Sequence, residues 1–211
     1  MFYRKILLPR LLLSAALAIP TQSLDQWTQL KFSKIPANQV SVDGGQLTVS
    51  VKSSASPLVY KLPQIHVVSG FDFEMSWAGT LPTESADAFS EDYPFRLGLV
   101  ATGEKTLSRL QRLVAADWVK KLFDLSPPGV GLDKIYFYNL SQNKNRVGTS
   151  RAHPKTELMN EFVFASLSTE NRYVLRLDKP IKVAALWLSI DGDDTGSDYS
   201  VRIKNLSLDV Q

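Results

Sequence analysis

Residues 184–210, AALWLSIDGDDTGSDYSVRIKNLSLDV, hold two apolar runs that alternate with polar residues on either side of an acidic turn. Alternation with a period of two is typical of a half-buried β-strand, because successive side chains point to opposite faces of a sheet. Asp, Gly and Ser are favoured in tight turns. The stretch therefore predicts a strand, a turn and a second strand, the repeating unit of an antiparallel sheet.

Similar runs recur along the chain. The clearest hairpin joins residues 40–42 to residues 47–51 through Asp43-Gly44-Gly45, since adjacent glycines suit a tight hairpin turn. Further strands are predicted at 58–62, 71–77, 95–101, 134–140, 161–167, 173–177, 183–190 and 200–210. About ten strands in a chain of this length predict an all-β fold, a two-sheet antiparallel β-sandwich of the jelly-roll type.

One segment breaks the strand pattern. Residues 105–123, KTLSRLQRLVAADWVKKLF, space their apolar side chains as an amphipathic helix, with Leu110, Val114 and Trp118 on one side and basic residues on the other. Pro127 and Pro128 prevent its continuation. We therefore expect one inserted α-helix at about 105–124. Its acidic residues dilute the positive charge, which favours packing on the sandwich over lipid binding.

The first 23 residues predict a secretory signal peptide. They contain three basic residues, no acid and an apolar stretch that ends in small and polar residues. Cleavage is expected after Ser23 or after Ala18, and an uncleaved membrane anchor is the alternative. A single domain would then span residues 24–211, in the periplasm or secreted.

Composition excludes several classes of function. The chain has a net charge of +3, but the predicted signal peptide carries all of that excess, so the remaining chain is neutral. A neutral domain offers no long-range attraction for nucleic acid. Without cysteine, the chain has no disulfides, thiol catalysis or thiolate metal site. Nothing in the composition fixes an oligomeric state.

The acidic turn offers oxygen ligands in a glycine-containing loop: Asp191, Asp193, Asp194 and Asp198. Hard oxygen ligands of this kind suit Ca²⁺, which would stabilise the turn without being a required cofactor. The alternative is that these carboxylates only cap backbone N–H groups. Sequence leaves both possibilities open.

Polar loops between strands are where sandwich proteins place binding residues, because the strands are committed to the core. Residues 141–156, SQNKNRVGTSRAHPKT, form such a loop and contain no acid. Tyrosines beside polar turns supply rings that stack on sugars. The predicted ligand-binding residues are Tyr199, Tyr93, Asn145, Arg146 and Arg151, and the predicted partner is a glycan or another component of the cell envelope.

No catalytic motif accompanies these features, so the sequence predicts a non-catalytic envelope or ligand-binding protein. An exported glycan hydrolase or lyase is the first alternative, with Glu91 and Asp92 as candidate carboxylates. A structural or membrane-associated partner protein is the second. That hypothesis requires the apolar side of the helix to be exposed rather than packed.

The order of landmarks resembles an exported bacterial family, the domain of unknown function 3047. The matching pieces are Trp27, residues 71–77, residues 91–96, the aromatic strand 135–138, Gly148-Thr149 and residues 190–196. The resemblance implies a jelly-roll or galactose-binding-like sandwich and export. It implies no chemical role for any residue.

Overall fold

The computed structural model describes residues 15–81, 93–153 and 156–211. These residues form eleven strands and two short α-helices. The strands are β1 (Ala15–Ala18), β2 (Trp27–Gln29), β3 (Gln39–Asp43), β4 (Gln46–Lys52), β5 (Leu58–Thr80), β6 (Phe95–Gly103), β7 (Gly131–Ser141), β8 (Ser150–Ala152), β9 (Met159–Ser166), β10 (Glu170–Ser189) and β11 (Asp198–Val210). The helices are α1 (Arg109–Val114) and α2 (Asp117–Asp124).

Two long strands build the sandwich. β5 and β10 pair antiparallel along both of their halves, with register shifts between Arg176 and Ile181 and between Val183 and Ala185. The half of β10 before the first shift joins layer A, which has the order β3-β4-β11-β5-β10, with β1 on β11. The second half joins layer B, where β6, β7, β9 and β8 follow β10 and β2 pairs with β5.

The predicted all-β sandwich is confirmed. Its two layers belong to one hydrogen-bonded sheet that continues from one layer to the other through β5 and β10. One pair of strands, β7 and β9, runs parallel, and the other pairs are antiparallel. The two register shifts between β5 and β10 are bulges or similar irregularities. Because bulges bend a strand locally, they explain how one strand can belong to both layers.

The main core lies between the layers. Phe73 of layer A stacks on Phe95 of layer B with ring centroids 4.7 Å apart, and Phe71 meets Tyr138 at 5.4 Å. Aliphatic residues from β4 and β11 complete this cluster. Each contributes the apolar side of an alternating strand, so the pattern seen in the sequence is the pattern of burial.

The outer faces of the two layers differ. Layer A presents ion pairs to solvent, among them Arg172 with Asp72 and Lys204 with Glu74. Layer B has a second apolar cluster on its outer face, which includes Ile135, Phe137 and Trp187. Leu122 of α2 is fully buried in this cluster, so α2 covers the outer face of layer B.

The expected single helix is in fact two. Ala115 and Ala116 have extended backbones, with φ/ψ of −67°/145° and −59°/149°, and they separate α1 from α2. A capping box between Ser108 and Gln111 begins α1. α2 packs on layer B, whereas α1 buries none of its residues. In the part of the chain that the structure describes, no helix is both long enough and apolar enough to span a bilayer.

The segment after Ala15, which lies within the predicted signal peptide, is part of the sheet. β1 pairs with the end of β11, from Ala15 opposite Val210 to Ala18 opposite Ser207. Ile19 is buried in the main core, and Trp27 Nε1 donates to the carbonyl of Pro20 at 2.7 Å. Cleavage after Ser23 would remove these contacts.

Candidate functional site

The parallel pair β7 and β9 carries different chemistry on its two faces. Tyr136 and Tyr138 of β7 lie beside Asn160 and Phe162 of β9 on the side of the main core. The intervening residues point to the outer face of layer B, where Phe137 joins the second cluster. Alternation along each strand thus separates two candidate sites that are adjacent in sequence.

A groove of about 940 Å³ lies on the first of these faces. It forms because layer A ends at β10, while layer B continues beyond β10 through β6, β7 and β9. Leu175, Leu177 and Ile181 of β10 line one side of it, and the aromatic residues of β7 and β9 line the other. We call it the tyrosine groove, after Tyr136 and Tyr138.

The rings of the tyrosine groove are held by neighbouring rings. Tyr138 is nearly buried and meets Phe162 edge to face, with centroids 6.2 Å apart and planes at 83°. Tyr136 and Phe162 are partly exposed at the surface of the groove. A fixed, partly exposed ring gives a ligand apolar contact area at a small cost in side-chain entropy.

Tyr136 is also fixed by a hydrogen bond. Its hydroxyl donates to Asp133 Oδ2 at 2.7 Å, while Lys105 Nζ donates to Asp133 Oδ1 at 3.1 Å. Partial burial opposes ionisation of Asp133, but the hydrogen bonds from Tyr136 and Lys105 outweigh it and lower the pKa of this carboxyl. Asp133 is therefore an ionised acceptor that orients the Tyr136 hydroxyl.

Both tyrosine hydroxyls of the groove stay protonated well above neutral pH. Burial, followed by the hydrogen bond and charge of Asp133, raises the pKa of Tyr136 to about 12. Burial, followed by the charges of Tyr136 and Asp178, raises the pKa of Tyr138 to about 12. Each hydroxyl is thus neutral, and the Tyr136 hydroxyl, which donates its proton to Asp133, can still accept a hydrogen bond.

The rim of the groove mixes charges of both signs with an amide. Asp178 and Lys179 line it where β10 bends, and Arg176 lies next to them and pairs with Asp209. Asn160 lines the opposite side. Such a rim provides both donors and acceptors, which is the chemistry needed to bind hydroxyl groups.

On the outer face of layer B the charged residues bind one another. Arg96 and Arg151 each donate to the buried carboxylate of Glu161, and Arg96 Nη1 lies 3.6 Å from Asp191 Oδ2. The Arg96 guanidinium also lies over the Phe137 ring, 4.4 Å from its centroid. We call Arg96, Arg151, Glu161 and Asp191 the ion cluster.

The acidic turn does not bring its four carboxylates together. Asp191, Asp193 and Asp194 line a cavity of about 420 Å³ beside the ion cluster. Asp198 begins β11, opposite Lys52 and Thr80, and lines a different cavity. Among the described residues, no group of three or more His, Cys, Asp or Glu side chains is arranged to hold a metal ion. Asp198 does not join the other three carboxylates, and calcium binding at the turn stays a prediction.

The two tyrosines predicted to stack on a ligand are in the protein interior. Tyr199 is 3% exposed, and its hydroxyl donates to the carbonyl of Asp191 at 3.0 Å. Tyr93 is 2% exposed and lies near Arg96. Their proximity to polar turns suggested exposure, but tertiary packing covers both rings. Neither offers a stacking face in this structure.

The predicted polar ligands are separated as well. Arg151 lines the tyrosine groove while it binds Glu161. Asn145 and the buried Arg146 lie in a single 3-10 turn before β8 and are not among the residues that line the groove. The candidate carboxylates Glu91 and Asp92 of the hydrolase hypothesis lie outside the described residues.

Sequence reasoning missed most of the groove. Asp133, Tyr136, Asn160 and Asp178 belong to runs that read as ordinary strands or strand ends. The aromatic strand 135–138 was the available signal, because its alternate residues are both tyrosine. A row of tyrosines on one strand face is a candidate binding surface only if that face is open, which sequence does not show.

Comparison with known proteins gives similarities of overall fold. No protein-family model matches the chain, and no curated protein matches it. The family 11 carbohydrate-binding module from Clostridium thermocellum, solved with a β-1,3-1,4-mixed-linked tetrasaccharide, has 10% identity and a TM-score of 0.46, over 92% of this chain and 94% of that chain.

A second structure of a family 11 carbohydrate-binding module, from a cellulosomal cellulase of Clostridium thermocellum, has 9% identity and a TM-score of 0.44, over 94% of this chain and 95% of that chain. A mutant of a family 29 carbohydrate-binding module has 10% identity and a TM-score of 0.40, over 93% and 92%. At such identities and TM-scores, the similarity carries no information on ligands or residue roles in this chain.

Proposed function

We propose that this protein is an exported, non-catalytic glycan-binding protein and that the tyrosine groove holds the sugar chain. The observation that carries the proposal is the partly exposed Tyr136 and Phe162 rings in an open groove of about 940 Å³. The C–H face of a sugar ring packs on such rings, and the polar rim binds its hydroxyls.

The groove is arranged before a ligand arrives. Tyr136 is held by Asp133, and Tyr138 is held by Phe71 and Phe162. Fewer side chains lose freedom on binding, which lowers the entropic cost. The rim contains acidic, basic and amide groups together, so it suits hydroxyl-rich ligands without requiring a charged one.

The carboxylates favour binding over hydrolysis. A glycosidase needs a carboxylic acid with a raised pKa to protonate the leaving group. The pKa of Asp133 is lowered by its hydrogen bonds, which is the opposite direction. Glu161 lines the groove but is buried, and its two carboxylate oxygens accept hydrogen bonds from Arg96 and Arg151, so neither is available to protonate a leaving group.

The test is glycan binding by isothermal titration calorimetry, after a panel of soluble oligosaccharides has been searched by thermal shift. We expect Tyr136→Ala to weaken binding at least roughly tenfold, because central aromatic anchors dominate binding energies. Tyr136→Phe keeps the ring and removes the hydroxyl, so it separates stacking from hydrogen bonding.

The matched control is Phe32→Ala. Phe32 is a partly exposed aromatic residue, but it lines the smaller cavity beside the acidic turn. Its removal should leave the affinity unchanged. A folded Tyr136→Ala protein that binds as tightly as the original chain, or loss of binding in Phe32→Ala alone, would place the site elsewhere. If no glycan of the panel bound, the proposed function would be wrong.

Export is a separate part of the proposal, and calcium stands outside it. The acidic turn lies outside the tyrosine groove, so glycan binding does not require an ion there. Export to the periplasm or medium is tested by fractionation and by the mass of the mature chain. A mature chain that begins before Ala15 keeps β1, whereas cleavage after Ser23 removes β1 and the buried Ile19.

A further inference from the structure

The short helix α1 exposes a group of large apolar side chains. Leu110, Leu113 and Val114 are 77%, 78% and 87% exposed. These residues are adjacent on one short helix, in which no residue is buried. Clustered apolar exposure of this kind marks a surface that contacts another molecule or a membrane, whereas scattered single residues do not.

The helical segment that contains α1 has an excess of basic residues, although Glu104 precedes it and Lys120 pairs with Asp117 at 3.3 Å. Residues 105–116 contain three basic residues and no acid, and residues 105–124 as a whole contain five basic and two acidic residues. Arg112 pairs with Asp124 at 2.8 Å and Lys105 pairs with Asp133 at 3.1 Å, yet both basic side chains remain more than two-fifths exposed. Arg109 is also exposed. Exposed apolar residues flanked by Arg and Lys match the interface of an anionic bilayer.

The start of the described chain lies at the same end of the sheet. Ala15 pairs with Val210, which pairs with Val68. On the next strand, β10, Val68 is opposite Ile181. The carbonyl of the adjacent Lys182 accepts a hydrogen bond from the hydroxyl of Thr102 in β6. β6 ends one residue later, and α1 follows. Ala15, the first described residue, therefore lies at the end of the sheet that leads to α1.

We propose that this end of the sandwich binds an anionic lipid surface, with Leu110, Leu113 and Val114 inserted at the boundary between headgroups and acyl chains. The sequence favoured packing of the whole helical segment on the sandwich. That expectation holds for α2, whose Leu122 is buried, and fails for α1. The proposal is independent of glycan binding, because α1 does not line the tyrosine groove.

The test uses the full chain. Because the chain has no cysteine, one introduced cysteine can be labelled specifically. Val114→Cys carries an environment-sensitive fluorophore and is mixed with phosphatidylcholine vesicles that contain or lack phosphatidylglycerol. We expect a blue shift with the anionic vesicles and its reversal by salt, since screening weakens the attraction. The matched control is Val174→Cys, a half-exposed position on the outer face of layer A, which should show no shift.

A second measurement is vesicle co-sedimentation of the full chain with Leu110→Ser and Leu113→Ser together. Loss of the two inserted side chains should weaken binding at least about tenfold, and both positions are exposed, so folding is unaffected. No shift at position 114, or equal shifts at positions 114 and 174, would overturn the proposal. So would undiminished vesicle binding by the double variant.

Discussion

The two faces of β7 and β9 differ in whether their side chains are open to a ligand. On one face, Tyr136 and Phe162 remain partly exposed because layer A ends at β10. On the other face, Glu161 is buried and accepts hydrogen bonds from Arg96 and Arg151. A cluster of charges is therefore a poor sign of a binding site when its members bind one another. Open aromatic surface beside oriented polar groups is a better one.

The largest expected effect is on the ion cluster. Glu161→Ala leaves Arg96 and Arg151 without their shared carboxylate, and the Arg96 and Glu161 side chains are almost fully buried. Breaking a buried ion pair costs about 3–5 kcal/mol of unfolding free energy. Urea denaturation measures the loss. The exposed pair of Arg172 with Asp72 is the control, and Arg172→Ala should barely change stability. Equal losses of stability in the two variants would contradict the stabilising role assigned to the buried ion cluster.

Substitution of Phe162, which follows Glu161 in β9, should change glycan affinity more than stability. Phe162→Ala removes a ring from the tyrosine groove and should weaken glycan binding roughly tenfold. Its loss of stability should be smaller than that of Glu161→Ala, because Phe162 is only partly buried. Calorimetry and urea denaturation on both variants give the comparison. If both neighbours changed only stability, the groove face would be structural.

High pH should weaken the fold through the groove tyrosines. The folded pKa values of Tyr136 and Tyr138 are raised from 10.0 to about 12. Between these values the unfolded chain loses protons that the folded chain keeps, so stability is full below pH 10 and falls as pH rises toward 12. Melting temperature and tyrosinate absorbance measure this. Tyr136→Phe should make the fall shallower, and an unchanged slope would contradict the assignment.

The smallest effect should come from calcium. Because Asp198 is separated from Asp191, Asp193 and Asp194, added Ca²⁺ should not raise the melting temperature, and EDTA should not lower it. Asp198→Asn should behave like the original chain. A calcium-dependent rise that disappears in Asp198→Asn would show that the acidic turn closes around an ion after all.

Several strands could be read from the sequence because their alternation matches their burial. The hairpin of β3 and β4 and the strands β6, β7, β9 and β11 follow the predicted segments closely. The long strands were each read as two. Residues 58–62 and 71–77 belong to β5, and residues 173–177 and 183–190 belong largely to β10. Pro63 and Pro180 interrupt the apolar pattern, and proline within a strand usually marks an edge or a bulge.

The acidic turn and the tyrosine groove both show why the sequence could not predict the candidate site. Local composition drew attention to Asp191, Asp193, Asp194 and Asp198, but a ligand set depends on distances that composition does not contain. The residues of the groove come from five strands, β6 to β10, which are brought together by the pairing of the sheet and the bend of β10. Arg151 alone among the predicted ligand residues lines the groove.

Sequence by itself determined the all-β class, the hairpin at Asp43-Gly44-Gly45 and the apolar face of the predicted strands, because strand alternation and turn chemistry are local properties. Tertiary structure decided which aromatic rings are exposed, which charges are paired and which part of the helical segment is covered. Those outcomes depend on where layer A ends and on where α2 packs. Both depend on contacts between residues far apart in the chain, which no local pattern specifies.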